Sequence, residues 1–389
     1  MFLKQLELQN PELIDYAFEL IKTNKILPDT YVIDLEMIRQ NTRKIVQEAK
    51  KYNIELLYMT KQIGRNPLIA EEIQKNGISN AVVVDFREAE VFMNNNLNLG
   101  NVGHLVQPPR GIIKKLLQYG TKYMTMYSRD NIQNLSKVAK EVDINQDILI
   151  KVIDKQDDIY PGQAGGFTLE ELDSSLDEIK QFDNVNIVGI TTFPGILFDE
   201  EAKEFKPTKN ITTIDKAKQI LKKHNIFPKV ISLPSASATT SLSLVDQLGG
   251  NEAEPGHSLT GTTPIHAVKD EPEKPAYCYI SEISHNFAGH SYVFGGGLYR
   301  RGHLKNAVVA ENGKYKHTEV MPLEDSNIDY YLELADQFQT GSPVLMASRT
   351  QMFVTRSTVA VVDRLHGNSK PQLIGLFDTQ GRKLTEGMK

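Results

Sequence analysis

The sequence predicts an α/β fold in which a (β/α)8 barrel is followed by a C-terminal domain made of β-strands. Three observations support this prediction. Eight short apolar runs alternate with helix-like segments over about 230 residues, the length of such a barrel. The runs show little period-two alternation, which is typical of strands buried on both faces. From about residue 265 the chain becomes β-rich and punctuated by turns.

The N-terminal part predicts helices. In NPELIDYAFELIKTN, Asn10 is a suitable cap and Pro11 suits the first turn. A second helix is expected in YVIDLEMIRQNTRKIVQEAKKYN, with Asp34 as its cap and an apolar face at helical spacing. We place a helical extension at residues 1–27 and the barrel at 28–264.

The barrel strands are expected in eight segments: ELLYMTK, NAVVVD, VGHLVQ, YMTMYS, DILIKVI, NIVGITT, KVISLPS and EAEPGHS. The segments between them carry helix-like patterns. The β-domain is placed at residues 265–389, where ENGK predicts a hairpin turn.

Composition excludes several classes of function. The 389 residues carry a net charge of −5, so no basic surface for nucleic acid or anionic lipid is expected. The N-terminus lacks the pattern of a signal peptide, and no apolar run is long enough to span a membrane. A single cysteine, Cys278, excludes an internal disulfide and is expected to be a small buried residue. We therefore expect a cytoplasmic protein that acts on a small molecule.

A phosphate site is predicted at the carboxyl ends of the barrel strands. The seventh strand leads into SLPSASATT and the eighth into EPGHSLTG, and these are the loops that bind phosphate in many barrels. Ser235 offers a hydroxyl, and Gly256 allows close approach to the main chain. Lys61 ends the first strand. Each feature alone has a simpler explanation, a connecting turn or a lysine that reaches solvent, but their combination favours a ligand site.

An amine, a phosphate anchor and a carboxylate together meet the requirements of pyridoxal 5′-phosphate. Lys61 supplies the amine for a Schiff base. Glu254 is the candidate partner of the pyridine nitrogen, and its alternative role is that of an exposed turn residue.

These motifs resemble those of a known family. EPGHSLTG resembles the EPGR element of ornithine and diaminopimelate decarboxylases and the RPGIALYG element of alanine racemases. YMTKQIGRNP resembles the Schiff-base strand of both groups, and SLPSASATT is similar to the racemases' phosphate loop. The chain is identified as a member of the fold-type III pyridoxal-phosphate enzymes. TKQ, PGQAGG and EPGHSLTG together are most similar to the YhfX group.

The resemblance implies roles for particular residues. Lys61 becomes the Schiff-base lysine, Glu254 the pyridine partner, and Ser235, Gly256 and His257 the phosphate contacts. Three of the implied cofactor-binding positions depart from the family pattern: His257 replaces the decarboxylases' arginine, Arg65 a racemase tyrosine, and Thr192 a ring-stacking histidine.

The loop PGQAGG lies where racemases carry an arginine that binds the substrate carboxylate. It contains no arginine, so Gln163 and the backbone of Gly165 and Gly166 are the candidates to bind substrate, the alternative being a loop without a ligand. Lys151 resembles a racemase position and is expected to be a charge-neutralising core lysine.

The second catalytic group comes from the partner subunit's β-domain in this family. The racemase tyrosine aligns with Phe294, which cannot transfer a proton, so Tyr299 is our candidate and Tyr292 and His290 are alternatives. Gln351 lies where decarboxylases carry a catalytic cysteine. Two arginines remain as alternative readers of a substrate carboxylate, Arg349 and Arg356. His285, His290 and His303 match metal ligands only loosely, and no metal is expected.

The expected function is that of a homodimeric amino-acid racemase with shared active sites. A decarboxylase is the alternative, favoured by Glu254 and opposed by the missing cysteine. A pyridoxal-phosphate-binding regulatory protein without turnover and a barrel enzyme that acts on a sugar phosphate through Lys61 are further alternatives.

Overall fold

The computed structural model describes residues 2–384 and contains two compact units. The barrel unit comprises Lys44–Thr60 and Ile73–Gly256. The sheet unit comprises the described part of Met1–Arg43, Lys61–Glu72 and His257–Lys389. The units therefore interleave along the chain, whereas the boundaries predicted at residues 27 and 264 are linear.

The described residues form ten α-helices: α1 (Phe2–Gln9), α2 (Pro11–Lys22), α3 (Leu35–Lys51), α4 (Pro67–Lys75), α5 (Phe86–Asn94), α6 (Ile113–Tyr119), α7 (Arg129–Glu141), α8 (Leu169–Ile179), α9 (Asn210–Lys223) and α10 (Leu242–Gln247). None of these described helices combines the length and apolar character that a membrane crossing requires.

The same residues form nineteen strands: β1 (Thr30–Asp34), β2 (Glu55–Met59), β3 (Asn80–Val82), β4 (Leu99–Val102), β5 (Tyr123–Met126), β6 (Gln146–Lys151), β7 (Val185–Thr191), β8 (Ile196–Asp199), β9 (Glu204–Pro207), β10 (Val230–Ser232), β11 (Glu252–Ala253), β12 (Tyr277–Phe287), β13 (His290–Phe294), β14 (Asn306–Glu311), β15 (Lys314–Glu319), β16 (Tyr331–Leu334), β17 (Pro343–Met346), β18 (Thr358–Asp363) and β19 (Gln372–Asp378).

Eight parallel strands close the barrel, in the order β10-β11-β2-β3-β4-β5-β6-β7. The predicted (β/α)8 barrel is confirmed. Seven of its strands lie within the predicted apolar runs or begin one residue before them, whereas β4 ends at Val102, where the predicted run VGHLVQ begins. Every residue of β4 and β5 is buried, which explains why their sequences show no alternation of polar and apolar residues. A two-stranded antiparallel ribbon, β8 with β9, follows the seventh barrel strand and was not predicted.

The sheet unit is built on a nine-stranded sheet in which β1 is an internal strand. β1 pairs antiparallel with β12, where Thr30 faces Ile280, and parallel with β18, where Thr30 faces Thr358. The sequence of these five residues predicts only the start of a helix, so this strand is a difference from the prediction. A run this short carries no periodic signal of its own, and its partners lie hundreds of residues away.

The helix caps and the hairpin turn of the sheet unit were predicted correctly, unlike β1. Asn10 caps α2, since its side chain accepts a hydrogen bond from the backbone N–H of Leu13 at 3.3 Å. Asp34 accepts from the N–H of Met37 at 3.1 Å, as expected of a cap. The ENGK hairpin joins β14 to β15, and its Asn312 and Gly313 both have positive φ. The C-terminal β-domain is therefore confirmed.

Candidate active site

The carboxyl ends of the barrel strands bring together polar side chains from distant parts of the sequence. The residues that end or closely follow these strands within the barrel unit are Thr60, His104, Tyr127, Lys151, Thr192, Ser237 and Glu254. All of them are buried or half-buried. Because parallel strands place their carboxyl ends at one face of a barrel, these side chains share the face where barrel enzymes carry their chemistry.

Glu254 lies at the centre of this group. Its carboxylate is only 2% exposed, and Oε2 lies 3.7 Å from Nε2 of His104. The backbone N–H of Glu254 donates to the hydroxyl of Ser237 at 3.0 Å, which joins the loops that follow β10 and β11. The ring of His104 meets Phe193 edge-on, with 5.4 Å between centroids. Glu254 is therefore a buried, positioned carboxyl group rather than an exposed turn residue.

Tyr127 and Lys151 extend the same network. The Tyr127 hydroxyl donates to the carbonyl oxygen of His104 at 2.5 Å, and Nζ of Lys151 donates to the Tyr127 oxygen at 3.0 Å. Burial lowers the pKa of Lys151 to about 8. Burial, and then the charge of Glu254, raise the pKa of Tyr127. The expectation that Lys151 neutralises a core charge is wrong, because its hydrogen-bond partner is a phenol rather than a carboxylate.

The glycines of the PGQAGG loop are explained by close packing. A Cβ on Gly165 would lie 2.7 Å from the Tyr127 ring, and one on Gly166 would lie 2.8 Å from the carbonyl oxygen of Lys151. Both glycines also have positive φ. Oε1 of Gln163 is buried and has no hydrogen-bond partner among the described residues, so it stays the candidate of this loop to bind substrate.

Two other predicted residues of the barrel unit have different surroundings. The hydroxyl of Thr192 accepts a hydrogen bond from the side-chain amide of Asn210 at 3.1 Å, which anchors the start of α9. Ser235 and Ala236 have φ of 94° and 51°, both in the left-handed region. Two successive non-glycine residues in that region are strained, and such strain concentrates at ligand-binding loops.

A second group of predicted residues lies within the sheet unit. Lys61 follows Thr60, begins the 3₁₀-helix Lys61–Ile63 and is half-buried. The side-chain amide of Gln62 donates to Nδ1 of His257 at 3.1 Å, which places the imidazole hydrogen on Nε2. Nε2 itself is buried and makes no hydrogen bond of ordinary geometry with any described residue, although the backbone of Thr350 lies close enough to oppose the lowering of the His257 pKa and part of His257 is exposed.

His257 is neutral because of its surroundings. Burial, followed by the positive charges of Arg349 and Lys61, holds its pKa well below the ordinary value for histidine. The sheet unit therefore brings two cationic side chains and one imidazole N–H donor into electrostatic reach of one another. Such a group favours an anion, and phosphate is the anion that the sequence predicts here.

The three arginines that were singled out from the sequence differ in their contacts. Arg65 is 4% exposed, has φ of 49°, and its guanidinium lies 5.6 Å from the ring centroid of Phe353. Arg356 donates to the carbonyl oxygen of Asp329 at 2.6 Å and therefore supports a loop. Arg349 influences His257 electrostatically, so it is the stronger of the two candidates to read an anion.

The segments that were predicted to supply the second catalytic group meet within the sheet unit. The side-chain amide of Gln351 donates to the hydroxyl oxygen of Tyr299 at 3.0 Å. The alternatives are engaged elsewhere, since Tyr292 stacks on His285 at 4.9 Å and His290 lies 3.2 Å from a carboxylate oxygen of Glu333. Cys278 is fully buried, as predicted.

Sequence reasoning missed His104, Tyr127 and Gln62. The first two lie within the predicted strand segments VGHLVQ and YMTMYS and follow the observed strands β4 and β5, so the positional signal that selected Lys61 and Glu254 also applied to them. Gln62 lacked any such signal, because its role depends on a histidine that lies 195 residues further along the chain.

Comparison with known proteins identifies the family. Residues 33–264 match the family described as "Alanine racemase, N-terminal domain", and residues 278–373 match "YhfX-like, C-terminal domain". The chain is 41% identical over 386 residues to the "Uncharacterized protein YhfX" of Escherichia coli strain K12, covering 99% of this chain and 100% of that protein. The chain belongs to the alanine racemase-like family. Within this family it falls in the YhfX group, as its motifs predicted.

Solved structures with lower identity share the fold of this alanine racemase-like chain. An alanine racemase from Clostridium difficile 630, in complex with cycloserine, superposes with a TM-score of 0.63 at 16% identity, covering 91% of this chain and 99% of that one. A diaminopimelate decarboxylase from M. jannaschii, in complex with L-lysine, gives a TM-score of 0.65 at 15% identity, with 95% and 92% covered. The same fold thus accommodates different reactions.

Members of the alanine racemase-like family depend on pyridoxal phosphate, which confirms the predicted cofactor. The residues of this chain fit that group. The sheet unit provides an amine at Lys61, as a Schiff base requires, and a buried N–H of His257 without a hydrogen bond of ordinary geometry, as a phosphate requires. The barrel unit provides the buried carboxyl of Glu254, as a pyridine nitrogen requires.

Proposed function

We propose that this protein is an enzyme that uses pyridoxal phosphate to labilise a bond at Cα of an amino acid, and that the reaction is racemisation. The observation that carries the proposal is the buried Nε2–H of His257, which makes no hydrogen bond of ordinary geometry with any described residue, although the backbone of Thr350 is near, and which lies in electrostatic reach of Lys61 and Arg349. A buried donor of this kind is destabilising unless a ligand accepts from it.

The proposed cofactor-binding residues are those predicted from the motifs. Lys61 would hold the cofactor covalently, and Ser235, Gly256 and His257 would contact its phosphate, with Arg65 and Thr192 as further binding residues. Glu254 would keep the pyridine nitrogen protonated. When bound, pyridoxal phosphate withdraws electrons from Cα and so weakens the bonds there.

Racemisation requires two groups that exchange a proton with opposite faces of Cα. The ε-amine of Lys61 is the proposed group for one face. The hydroxyl of Tyr299, supplied by the partner subunit, is the proposed group for the other. The Gln351 amide donates to the phenol oxygen, so the hydroxyl hydrogen is not used in that bond.

Decarboxylation is the second candidate reaction. The buried carboxyl of Glu254 favours it, because a protonated pyridine nitrogen also assists the loss of carbon dioxide. Gln351 opposes it, because decarboxylases of the family carry a cysteine at the matching position and an amide cannot replace its proton transfer.

Two measurements test the proposal. Borohydride reduction followed by peptide mapping is expected to find the pyridoxyl group on Lys61. Incubation of a panel of amino acids in deuterated water is expected to show deuterium at Cα with loss of optical activity. Release of carbon dioxide would instead favour the decarboxylase. A cofactor bound to Lys61 without exchange on any amino acid would favour a regulatory protein.

We also propose that the active unit is a homodimer with shared active sites, because Tyr299 is expected to serve the neighbouring subunit. Light scattering of the purified protein, combined with the exchange assay, tests this directly. A fully active monomer would contradict it.

A further inference from the structure

A cleft lies at the amino ends of three barrel strands, away from the carboxyl-end residues described above. It has a volume of about 390 Å³ and lies within the barrel unit. Its lining comes from the end of α3 and from residues at the starts of β2, β10 and β11: Lys50, Asn53, Ile54, Glu55, Lys229, Val230, Asn251 and Glu252. This volume suits a small metabolite.

Asn251 connects the backbone segments that line the cleft. Its side-chain amide donates to the carbonyl oxygen of Lys229 at 2.7 Å, and its side-chain oxygen accepts from the N–H of Ile231 at 2.8 Å. Its backbone carbonyl accepts from the N–H of Glu55 at 2.9 Å. The three strand starts are thereby joined before any ligand arrives.

Glu252 is the unusual residue of the lining. It is only 1% exposed, and neither carboxyl oxygen makes a hydrogen bond of ordinary geometry with any described residue. The hydroxyl of Ser232, the residue that pairs with Glu252 between β10 and β11, lies close enough to oppose the rise in the Glu252 pKa without forming a hydrogen bond of ordinary geometry. A buried carboxyl group without a partner is costly, and a ligand that donates hydrogen bonds would offset that cost.

Charges around the cleft are complementary. Lys50 and Lys229 form no ion pair with any residue that the structure describes, whereas Glu55 is paired with Lys122. The cleft thus offers two ammonium groups and one carboxyl group that lack charged partners. An amine alone would add a third cation beside two lysines, and an anion alone would leave Glu252 unsatisfied.

We propose that this cleft binds a small zwitterion of amino-acid size, with its ammonium group against Glu252 and its carboxylate against Lys50 and Lys229. The site is separate from the proposed chemistry and does not depend on it. Affinity should also increase from pH 6 to pH 8, because burial raises the pKa of Glu252 to about 7 and only the carboxylate attracts an ammonium group. The charge of Glu55 raises the pKa of Glu252 further, whereas Ser232 and Lys122 lower it.

The test is titration calorimetry of the purified protein, in whatever cofactor state it carries, with dimethylglycine as the probe. Its tertiary amine cannot form a carbon–nitrogen double bond with a cofactor, so binding at Lys61 is not mistaken for binding here. Acetate and trimethylamine carry one of its two charges each. We expect one site per chain, with dimethylglycine bound at least about tenfold more tightly than either single-charge compound.

Three variants locate the site. E252Q and the double variant K50Q/K229Q should each weaken dimethylglycine binding at least about tenfold, since each removes one charged contact. K114Q/K137Q removes two exposed lysines of α6 and α7 in the same unit and should leave binding unchanged. A melting curve would reveal whether E252Q folds poorly. In that case K50Q/K229Q, which changes only exposed lysines, still tests the site.

Four outcomes would overturn the proposal. Absence of binding would show that the cleft holds only solvent, and acetate binding as tightly as dimethylglycine would indicate a simple anion site. Binding that survives in E252Q and in K50Q/K229Q, or that is lost in E254Q, would place the ligand elsewhere. Because the probe does not react with the cofactor, these results are independent of whether the proposed racemase activity is found.

Discussion

Glu252 and Glu254 lie two residues apart on the same strand segment, and both are buried, yet their surroundings differ. Glu254 follows β11 at the carboxyl end of the barrel, where His104 lies 3.7 Å from its carboxylate and Ser237 holds its backbone. Glu252 begins β11 at the amino end, where its oxygens make no ordinary hydrogen bond within the described residues.

The two glutamates show that the two ends of one barrel strand provide different environments for the same side chain. Residues two apart on a strand point to the same side, so the sequence alone makes the two glutamates equivalent. Only their positions along the barrel axis separate them. The carboxyl end is the face where barrel enzymes act, and the amino end is ordinarily the face that serves stability. Substitutions at the two ends should therefore affect different measurements.

The largest effect is expected from Lys61→Ala, which removes the proposed covalent attachment of the cofactor. Exchange of the α-proton should fall by about three orders of magnitude or more, as when other covalent catalytic groups are removed. Lys151→Met is the matched control for loss of a buried amine, and its bound cofactor should stay reducible onto Lys61. Near-normal exchange by the Lys61 variant, or a pyridoxyl group found on Lys151, would contradict the assignment.

The comparison of the two glutamates is tested most directly by Glu254→Gln. Turnover should fall about a hundredfold, equivalent to roughly 2.7 kcal/mol, while substrate binding changes little, because the carboxylate assists only as the Cα bond breaks. Glu252→Gln should retain turnover. Parallel measurement of kcat and KM for both variants decides the matter, and equal losses would show that the two ends of the barrel are not functionally distinct.

A smaller effect is expected on stability. Because burial raises the pKa of Glu252 to about 7, the folded protein binds a proton there that the unfolded chain releases at lower pH. The resulting stability is present below the pKa of the unfolded chain and is lost as the pH rises through about 7. Glu252→Gln should remove this loss, about 2 kcal/mol once solvent in the cleft is allowed for.

Urea denaturation of the parent and of Glu252→Gln at several pH values between 5 and 8 measures this difference. The gap in unfolding free energy should change steadily in favour of the variant as the pH rises. A constant gap would mean that Glu252 titrates at its ordinary pKa and is not the buried group described here.

The smallest effect is expected in the sheet unit, from Gln351→Ala. Loss of the 3.0 Å hydrogen bond to Tyr299 should reduce the rate of proton exchange about fivefold, in line with the free energy of one hydrogen bond to a neutral group. Gln351→Glu should retain a polar partner and shift the pH dependence of the rate, which a merely structural role would not do. Unchanged kinetics in both variants would remove Gln351 from the proposed site.

Much of the fold was predictable because its signals are local. The eight barrel strands, the Asn10 cap and the ENGK turn all depend on residues within a few positions of one another. Lys61 and Glu254 were identifiable because each lies in a predicted strand segment whose motif resembles that of one family. His104 and Tyr127 carried the same positional signal without a motif, and they were overlooked.

The sequence by itself determined the alternation of eight barrel strands with helices, the motifs near their carboxyl ends, and to which family the chain belongs. The tertiary structure decided that β1 is internal to the sheet, that burial and nearby cations lower the pKa of His257, and that Glu252 and Glu254 have different surroundings. The reason is physical. Periodicity and turn chemistry act over a few residues, whereas burial, charge and hydrogen-bond partners arise only when distant segments are packed together.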